Sequence, residues 1–226
     1  MPTSSERPTT VVVVAGGDPI DPRLRGLVPA GAPVVAADSG ADLALALGLG
    51  IDELVGDLDS VAAPSIDAVL SAGGTVERHP AAKDHTDLEL ALQHAVALEP
   101  ERILVLGGHG GRDDHHLANR LLLASPWLGS VDVVAWSGRA RIAVVRRRAT
   151  FTGPAGSLLS LLAVGGPAGP VRTEGLVYPL RDEVLDPGST RGISNELAAP
   201  EAVVSTGAGV LLAIQPHALD HVEDLS

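Results

Sequence analysis

Short runs of apolar and β-branched residues alternate with helical patterns through the first part of the chain. Five such runs are candidate strands: VVVVAGG (11–17), PVVAADSG (33–40), ELVGDLDS (53–60), RILVLGG (102–108) and VDVVAW (131–136). Continuous apolar runs of this kind are typical of strands that are buried on both faces of a parallel sheet. The pattern therefore predicts an α/β domain with a doubly wound, mostly parallel sheet.

Three segments between these runs have the spacing of amphipathic helices. The clearest covers residues 87–98, and Thr86 with Glu89 forms a capping box at its start. A second helix is predicted after Asp113, with an apolar face that includes Leu117 and Leu121. A third, shorter helix is predicted from about residue 41 to residue 47, before Gly48.

The pattern changes after about Arg146. Short strand-like pieces follow, separated by glycine and proline: ATFTG, SLLSLLAVGG, PVRTEGLVYPL, GISNEL, AVVSTGAG and VLLAIQP. Such pieces are typical of a small antiparallel β-sandwich or barrel. We therefore expect a flexible tail over residues 1–10, an α/β domain over 11–146, and a β-rich domain over 147–226, with the boundary near Arg146–Ala149.

Composition narrows the possible partners. The 226 residues carry a net charge of −12, which disfavours nucleic acid and anionic membranes as partners and favours cation binding. There is no cysteine, so disulfides, a thiolate nucleophile and cysteine-type zinc sites are excluded. The start of the chain lacks the pattern of a signal peptide, and no apolar run approaches the roughly 18–20 residues of a membrane helix. We expect a cytoplasmic protein.

Acidic residues follow two of the predicted strands. Asp57 and Asp59 lie two positions apart at a strand end, where an extended chain would point both carboxylates the same way, and Asp38 follows the preceding strand. Ligands of open α/β sheets bind beyond the carboxyl ends of the strands. The pair could supply the carboxylates that Mg²⁺ prefers in proteins. The alternative is a solvated, aspartate-rich turn.

The segment KDHTD (83–87) adds charge next to the predicted helix. Lys83 is the single lysine of a chain with fifteen arginines, and it stands beside Asp84 and Asp87. A compact ammonium group suits phosphate binding, although chance would also explain one lysine. Asp87 falls in the first turn of the helix, where it either contributes to an anion or metal site or simply complements the helix dipole.

A glycine-rich turn follows the fourth predicted strand, in GGHGGRDDHHLAN (107–119). Its glycines would let backbone N–H groups approach phosphate oxygens, and Arg112 could pair with them bidentately. The segment is neither a Walker A loop nor a GxGxxG motif. The alternative is a glycine C-cap followed by a helix N-cap at Asp113. Adjacent His115 and His116 point about 100° apart on a helix and have no HxxxH partner, which argues against a zinc pair.

Six motifs in order resemble the motif series of thiamin pyrophosphokinases. They are DSGADLAL (38–45), GDLDS (56–60), KDHTDLELAL (83–92), GGRDDHHLAN (110–119), TEGLVYPL (173–180) and GISNEL (192–197). The resemblance covers about Val11 to Gln215. It implies an α/β N-terminal domain, a β-rich thiamin-binding C-terminal domain, and a homodimer with active sites at the subunit boundary.

The resemblance also implies roles for individual residues. Asp57, Asp59 and Asp87 would be Mg²⁺ ligands, and Asp38 and Asp84 would help to place metal, water or phosphates. The ATP site would be shaped by a larger set: Lys83, Gly107, Gly108, Gly111, Arg112, Asp114, His115 and Asn119. Ser194 and Asn195 would contact the thiamin pyrimidine. The implied reaction is attack of the thiamin hydroxyl on the β-phosphorus of ATP, which releases AMP.

Two departures from the family pattern bear on the substrate. Ser39 stands where family members commonly have glycine, and no aromatic residue follows Asn195, where some relatives have a stacking ring. Tyr178 is the candidate replacement, although a lone tyrosine in a strand is usually a core residue. Two alternatives stay open: a diphosphokinase that acts on a pterin alcohol, and a catalytically silent nucleotide-binding regulatory module.

Overall fold

The computed structural model describes residues 7–82 and 84–222. This part of the chain divides into two compact units. The first contains residues up to 119 together with 131–138, and the second contains 120–130 and the residues from Arg139 onward. The main part of the second unit thus starts before the Arg146–Ala149 boundary expected from the sequence, because residues 141–145 pair with Leu211–Gln215 in its sheet.

The first unit is built on a parallel sheet of six strands. They are β1 (Thr10–Ala15), β2 (Val34–Ala37), β3 (Glu53–Gly56), β4 (Thr75–Arg78), β5 (Arg102–Gly107) and β6 (Asp132–Ser137). Their order is β6-β5-β1-β2-β3-β4, and every neighbouring pair is parallel. The prediction of a doubly wound, mostly parallel α/β layer is confirmed, and all five predicted strands are present.

Four α-helices accompany this sheet: α1 (Gly40–Ala46), α2 (Ala63–Ser71), α3 (Asp87–Ala97) and α4 (Asp113–Leu122). A 3₁₀ helix covers Pro22–Leu27. The three predicted helices are confirmed as α1, α3 and α4, and Thr86 caps α3 by accepting a hydrogen bond of 3.2 Å from the Glu89 N–H. The apolar face of α4 is largely uncovered in this chain, since Leu117 and Leu121 are 60% and 46% exposed.

Helix α2 and strand β4 were not predicted from the sequence. Both bury few side chains, since they lie at the edge of the sheet. Val69 is the buried residue of α2, and β4 is a largely exposed edge strand. With so few buried side chains, β4 is held in place by pairing with β3, and α2 by contacts with β3 and β4.

The core of the first unit lies around β1, which is buried along its whole length. Helices α1 and α3 contact β1 and β2, and α2 contacts β3 and β4. From β1 the chain proceeds through β2, β3 and β4 toward one edge, whereas β5 and β6 occupy the other side of β1. The strand order therefore reverses between β1 and β5, and a crevice at the carboxyl ends of the strands is expected at that point.

The second unit is antiparallel. Its strands are β7 (Ala140–Val145), β8 (Arg148–Thr152), β9 (Leu158–Glu174), β10 (Arg181–Leu185), β11 (Asn195–Glu196) and β12 (Glu201–Gln215). β9 lies between β10 and β12, β12 also pairs with β7 and β8, and β11 pairs with β9. The antiparallel character was predicted correctly.

The division of this region into uniformly short strands was wrong. SLLSLLAVGG and the start of PVRTEGLVYPL form one 17-residue strand, β9. AVVSTGAG and most of VLLAIQP form one 15-residue strand, β12. Gly209 does not end β12. With φ 75° it lies at a register shift between Ala208 and Val210, and pairing with β9 continues on both sides of this irregularity.

The beginning of the chain is described only in part. Residues 1–6 of the expected flexible tail lie outside the described residues. Thr10, by contrast, starts β1, and the Thr9 carbonyl accepts a hydrogen bond of 3.0 Å from the Arg102 N–H. Among the helices of the described residues, none has the length and apolar character needed to cross a membrane.

Gly40 lies close to the backbone of β1 at the start of α1, which gives a test of the packing. A Cβ atom at this position would lie 2.1 Å from the Val14 carbonyl oxygen. Since backbone cannot move aside cheaply, we expect Gly40→Ala to lower the free energy of unfolding by about 1–3 kcal/mol, measured by urea denaturation. Gly50→Ala is the matched control, because nothing lies within 4 Å of its added Cβ. Equal effects of the two substitutions would contradict the packing argument.

Candidate active site

A crevice of about 580 Å³ opens at the carboxyl ends of β1, β2, β3 and β5. All of its lining residues belong to the first unit. They come from the turns that follow these strands and from the first turns of α3 and α4: Gly16, Gly17, Asp38, Ser39, Asp57, Asp59, Ser60, His85, Thr86, Asp87, Gly108, Gly110, Gly111, Arg112, His115, His116 and Asn119, together with Ala15, Ala37, Ala81 and Leu88. The structure therefore brings four of the sequence motifs to one place.

Three aspartates converge on one side of the crevice. Asp38, Asp57 and Asp59 each place a carboxylate oxygen within 4.8 Å of the others. Asp38 and Asp57 are half-buried and Asp59 is exposed. Carboxylate oxygens grouped in this way at an open crevice are suitable ligands for a hard divalent cation.

The turn that carries Asp57 and Asp59 differs from the extended segment expected from the sequence. Leu58, which is 6% exposed, adopts a left-handed conformation with φ 64°. The Asp59 N–H donates to Asp57 Oδ1 at 3.2 Å, and the Ser60 hydroxyl donates to Asp59 Oδ1 at 2.9 Å. A non-glycine residue in this region costs roughly 1–3 kcal/mol, and burial of the Leu58 side chain holds it there.

Asp38 is the most strained electrostatic position of the group. Burial raises the pKa of its carboxyl above the ordinary value, and the negative charges of Asp87, Asp57 and Asp59 raise it further, against a hydrogen bond from the Ser39 backbone that lowers it. Oδ1 of Asp38 is buried and makes no hydrogen bond to the described residues. A buried carboxylate oxygen in this state is an available ligand for a cation.

Asp87 is brought to the same place by the start of α3. A Cβ atom added to Gly56 would lie 3.1 Å from both Asp87 Oδ1 and Asp38 Cβ. Glycine at this position thus allows the carboxylates on β2 and α3 to approach across the end of β3.

The turns after β1 and β5 are joined by backbone hydrogen bonds. The Gly108 N–H donates to the Gly16 carbonyl at 3.2 Å, and the Asp18 N–H donates to the His109 carbonyl at 2.8 Å. An added Cβ on Gly17 would lie 2.2 Å from the same His109 carbonyl. The two glycine-rich turns therefore form one continuous wall of backbone along the crevice.

Arg112 lies at the mouth of the crevice and is paired with Asp114. Its guanidinium donates to both carboxylate oxygens, at 3.1 Å and 2.6 Å. This pairing lowers the pKa of Asp114 to about 2, and Asp114 also accepts a hydrogen bond of 2.9 Å from the His115 N–H. Both side chains are exposed, so a phosphate could replace Asp114 as the partner of Arg112 at little cost.

The remaining predicted residues of the first unit fall in three groups. His115, Asn119, Gly108 and Gly111 line the crevice, and Asn119 Nδ2 would lie 3.4 Å from a Cβ added to Gly108. Gly107, Asp84 and Asp114 are absent from the lining formed by the described residues, and Asp84 is exposed. Lys83 lies outside the described residues, so its role stays a prediction.

Asn195 and Tyr178 form a separate arrangement in the second unit. The Asn195 side chain is 3% exposed, accepts from the Tyr178 N–H at 3.0 Å and donates to the Tyr178 carbonyl at 2.7 Å. Asn195 therefore fixes the backbone of Tyr178, whose side chain is 58% exposed rather than part of the core. Ser194 is exposed, with φ 56°, and its N–H donates to the Ser160 hydroxyl at 3.0 Å.

Two close contacts in the crevice were not predicted from the sequence. Ser39 Oγ lies 2.2 Å from the position of a Cβ on Gly16, so the serine side chain fills the space that this glycine leaves. The Asp18 carboxylate lies 2.2–2.4 Å from the position of a Cβ on Gly110. Both contacts join turns that are distant in sequence. A glycine in the sequence does not show which side chain will pack against it, so these contacts could not be predicted.

Comparison with known families agrees with this arrangement. The model of the thiamin pyrophosphokinase catalytic domain matches residues 27–134, and the model of the thiamin pyrophosphokinase vitamin B1 binding domain matches residues 142–211. The chain is 28% identical to the thiamine pyrophosphokinase of Bacillus subtilis (strain 168) over 217 residues, which cover 91% of this chain and 98% of that protein.

Solved structures show the same architecture. The crystal structure of the Bacillus subtilis thiamine pyrophosphokinase matches with a TM-score of 0.80 and 28% identity, over 91% of this chain and 98% of that one. The thiamin pyrophosphokinase of Geobacillus thermodenitrificans matches with a TM-score of 0.77 and 27% identity, over 91% and 96%. The Candida albicans thiamin pyrophosphokinase shares the fold at 16% identity, with a TM-score of 0.73, over 92% and 89%. With both domain models matched in order along the chain, this protein belongs to the thiamin pyrophosphokinase family.

Proposed function

We propose that this enzyme transfers a diphosphate group from ATP to the hydroxyl of thiamin, giving thiamin diphosphate and AMP. The observation that carries the proposal is the convergence of Asp38, Asp57 and Asp59, within 4.8 Å of one another, inside the segment that matches the catalytic domain. A new bond joins the thiamin oxygen to the β-phosphorus, and the bond from this phosphorus to the α-β bridging oxygen breaks. The hydroxyl proton is released, and AMP leaves with the bridging oxygen.

Mg²⁺ is the metal that this donor set fits. The cluster offers carboxylate oxygens only, which hard cations prefer, and the buried Oδ1 of Asp38 makes no hydrogen bond to the described residues. We infer that Asp57, Asp59 and Asp87 hold Mg²⁺, with Asp38 beside them. Bound there, Mg²⁺ would neutralise charge on the transferred phosphates.

The glycine-rich wall suits the polyphosphate of ATP. Gly111 lines the crevice and has nothing within 4 Å of an added Cβ, so its backbone is open to phosphate oxygens. Arg112 stands at the opening with a guanidinium that can move from Asp114 to a phosphate. The contribution of these residues is positioning and charge compensation, which phosphoryl-type transfers require more than covalent catalysis.

The second unit supplies the candidate residues for the acceptor. Exposure of the Tyr178 ring and the fixed position of its backbone support a role as a stacking surface for a thiamin ring. The buried Asn195 side chain supports that role indirectly, because its amide is engaged by the Tyr178 backbone. Ser194 stays exposed beside it and is available to a ligand. A homodimer and a cytoplasmic location stay predictions.

The proposal is tested by incubating the purified chain with ATP, Mg²⁺ and thiamin and separating the products by chromatography. Equal amounts of AMP and thiamin diphosphate are expected. A pterin alcohol is assayed in parallel, and AMP formation with that acceptor alone would replace thiamin in the proposal. Absence of AMP with both acceptors would favour the silent nucleotide-binding module, and ADP in place of AMP would exclude diphosphate transfer.

Asp57→Asn tests the metal-binding role. Because one carboxylate of the cluster is lost at a half-buried position outside the core, we expect kcat to fall by roughly 10²-fold or more while the protein stays folded. Turnover is measured by AMP release at saturating Mg²⁺, and folding by circular dichroism. Asp67→Asn, on the exposed face of α2, makes the same change of charge outside the crevice and should keep full activity. Full activity of Asp57→Asn would remove this residue from the mechanism.

Asp38→Asn tests the charge repulsion within the cluster. Without a cation, replacing this partly buried carboxylate relieves repulsion from Asp57, Asp59 and Asp87. We expect the variant to raise the Tm in EDTA at neutral pH by about 2–4 °C, which corresponds to about 1 kcal/mol in a protein of this size. Adding Mg²⁺ should then stabilise the variant less than the wild type. A variant that is less stable in EDTA would show that Asp38 has a favourable partner in the fold, and Asp67→Asn serves as control.

A further inference from the structure

A second cluster of metal-ligating side chains lies on the elements next to the aspartates. Glu77 comes from β4, His79 from the residues just after it, and His94 from α3. Each offers one ligand atom within 4.8 Å of the others. Glu53, on β3, contacts the same group through His94. Two imidazoles and a carboxylate form a different donor set from the all-oxygen cluster of the crevice.

The distances within this cluster suit a small cation. Glu77 Oε1 lies 2.9 Å from His79 Nε2, and Glu77 Oε2 lies 3.7 Å from His94 Nε2. Ligands bound to Zn²⁺ at about 2.0–2.2 Å stand roughly 3–3.5 Å apart, so the present separations bracket the bound arrangement. The Glu77 carboxylate is half exposed and can move by the small distance that this requires.

The Nε2 atoms of His79 and His94 are positioned to act as metal ligands. Nε2 of His79 is buried, makes no hydrogen bond to the described residues, and lies 2.9 Å from Glu77 Oε1. Nδ1 of His94 lies 2.9 Å from Glu53 Oε1. A carboxylate at Nδ1 favours a proton there and leaves the lone pair on Nε2, the atom that faces Glu77. Glu53 is therefore an orienting residue for His94.

We propose that Glu77, His79 and His94 form a site for Zn²⁺ or a similar divalent transition metal, with Glu53 in a supporting role. Mixed imidazole and carboxylate donors favour such metals over Mg²⁺. Three protein ligands leave a fourth position for water. The site joins β3, β4 and α3, since the His79 N–H also donates to the Gly56 carbonyl at 2.8 Å. These are the elements that carry Asp57 and Asp87, so a bound metal cross-links the support of the aspartate cluster.

Zinc binding to the full-length protein tests this site without an activity assay. After removal of metals, Zn²⁺ is titrated by calorimetry in the presence of excess Mg²⁺, which occupies oxygen-only sites. One Zn²⁺ per chain is expected, with a higher Tm because the metal binds the folded state. His79→Gln and His94→Gln should each weaken binding by more than about tenfold, and Glu53→Gln by about tenfold.

Two controls separate this site from other binding. His217→Gln changes an exposed histidine of the second unit, and Asp57→Asn changes the crevice, so both should keep the Zn²⁺ affinity of the wild type. Co²⁺ added to the wild type should give the intense visible absorption of a four- or five-coordinate site, which does not depend on any variant. Absence of that spectrum, or unchanged Zn²⁺ affinity in His79→Gln and His94→Gln, would overturn the proposal.

Discussion

The repulsion between carboxylates at the carboxyl edge of the parallel sheet is the constraint on which the site depends. Asp38, Asp57, Asp59 and Asp87 are held close together, and burial and mutual charge raise the pKa of Asp38. Such crowding is unfavourable without a cation. It persists because Asp38 and Asp57 directly follow the parallel strands β2 and β3, whose pairing fixes where they end. The fold thus holds the carboxylates together against their repulsion, and the proposed cation would offset that repulsion.

The same constraint explains which glycines matter. Gly56 lies between Asp38 and Asp87, and a side chain there would push the two carboxylates apart. Gly16 leaves the space that Ser39 occupies, so a serine in the DSG motif is accommodated by the opposite wall. Glycines stand at the points where the turns after β1, β3 and β5 approach one another. The result is a crevice with glycine backbone on one wall and mainly polar side chains on the others, which suits a polyphosphate more than an apolar ligand.

Sequence patterns were sufficient for the parts of the structure that are governed by burial. The five buried strands are continuous apolar runs, helix α3 has apolar residues at helical spacing after a capping box, and the ends of the strands located Asp38, Asp57 and Asp59. Elements with little burial, such as α2 and β4, were not predicted. Glycines in β9 and β12 were wrongly taken as strand ends, because neighbouring strands on both sides hold the chain extended there. The left-handed turn at Leu58 had no sequence signal, because its conformation is imposed by the surroundings.

Side-chain clusters that form between different elements could not be predicted from sequence patterns. Glu77, His79 and His94 come from an edge strand, a turn and a helix, and their spacing matches no metal motif. Their proximity follows from the register of β4 on β3 and from the packing of α3 on β3. Neither of these can be predicted from the local sequence of one element. The two donor sets differ in hardness, oxygen in one and imidazole with carboxylate in the other, so the two proposed sites would prefer different cations. Glu53 and His94 lie on β3 and α3, and Asp57 and Asp87 lie at the ends of the same elements, so a metal bound at the imidazole cluster would brace the elements that position these two aspartates.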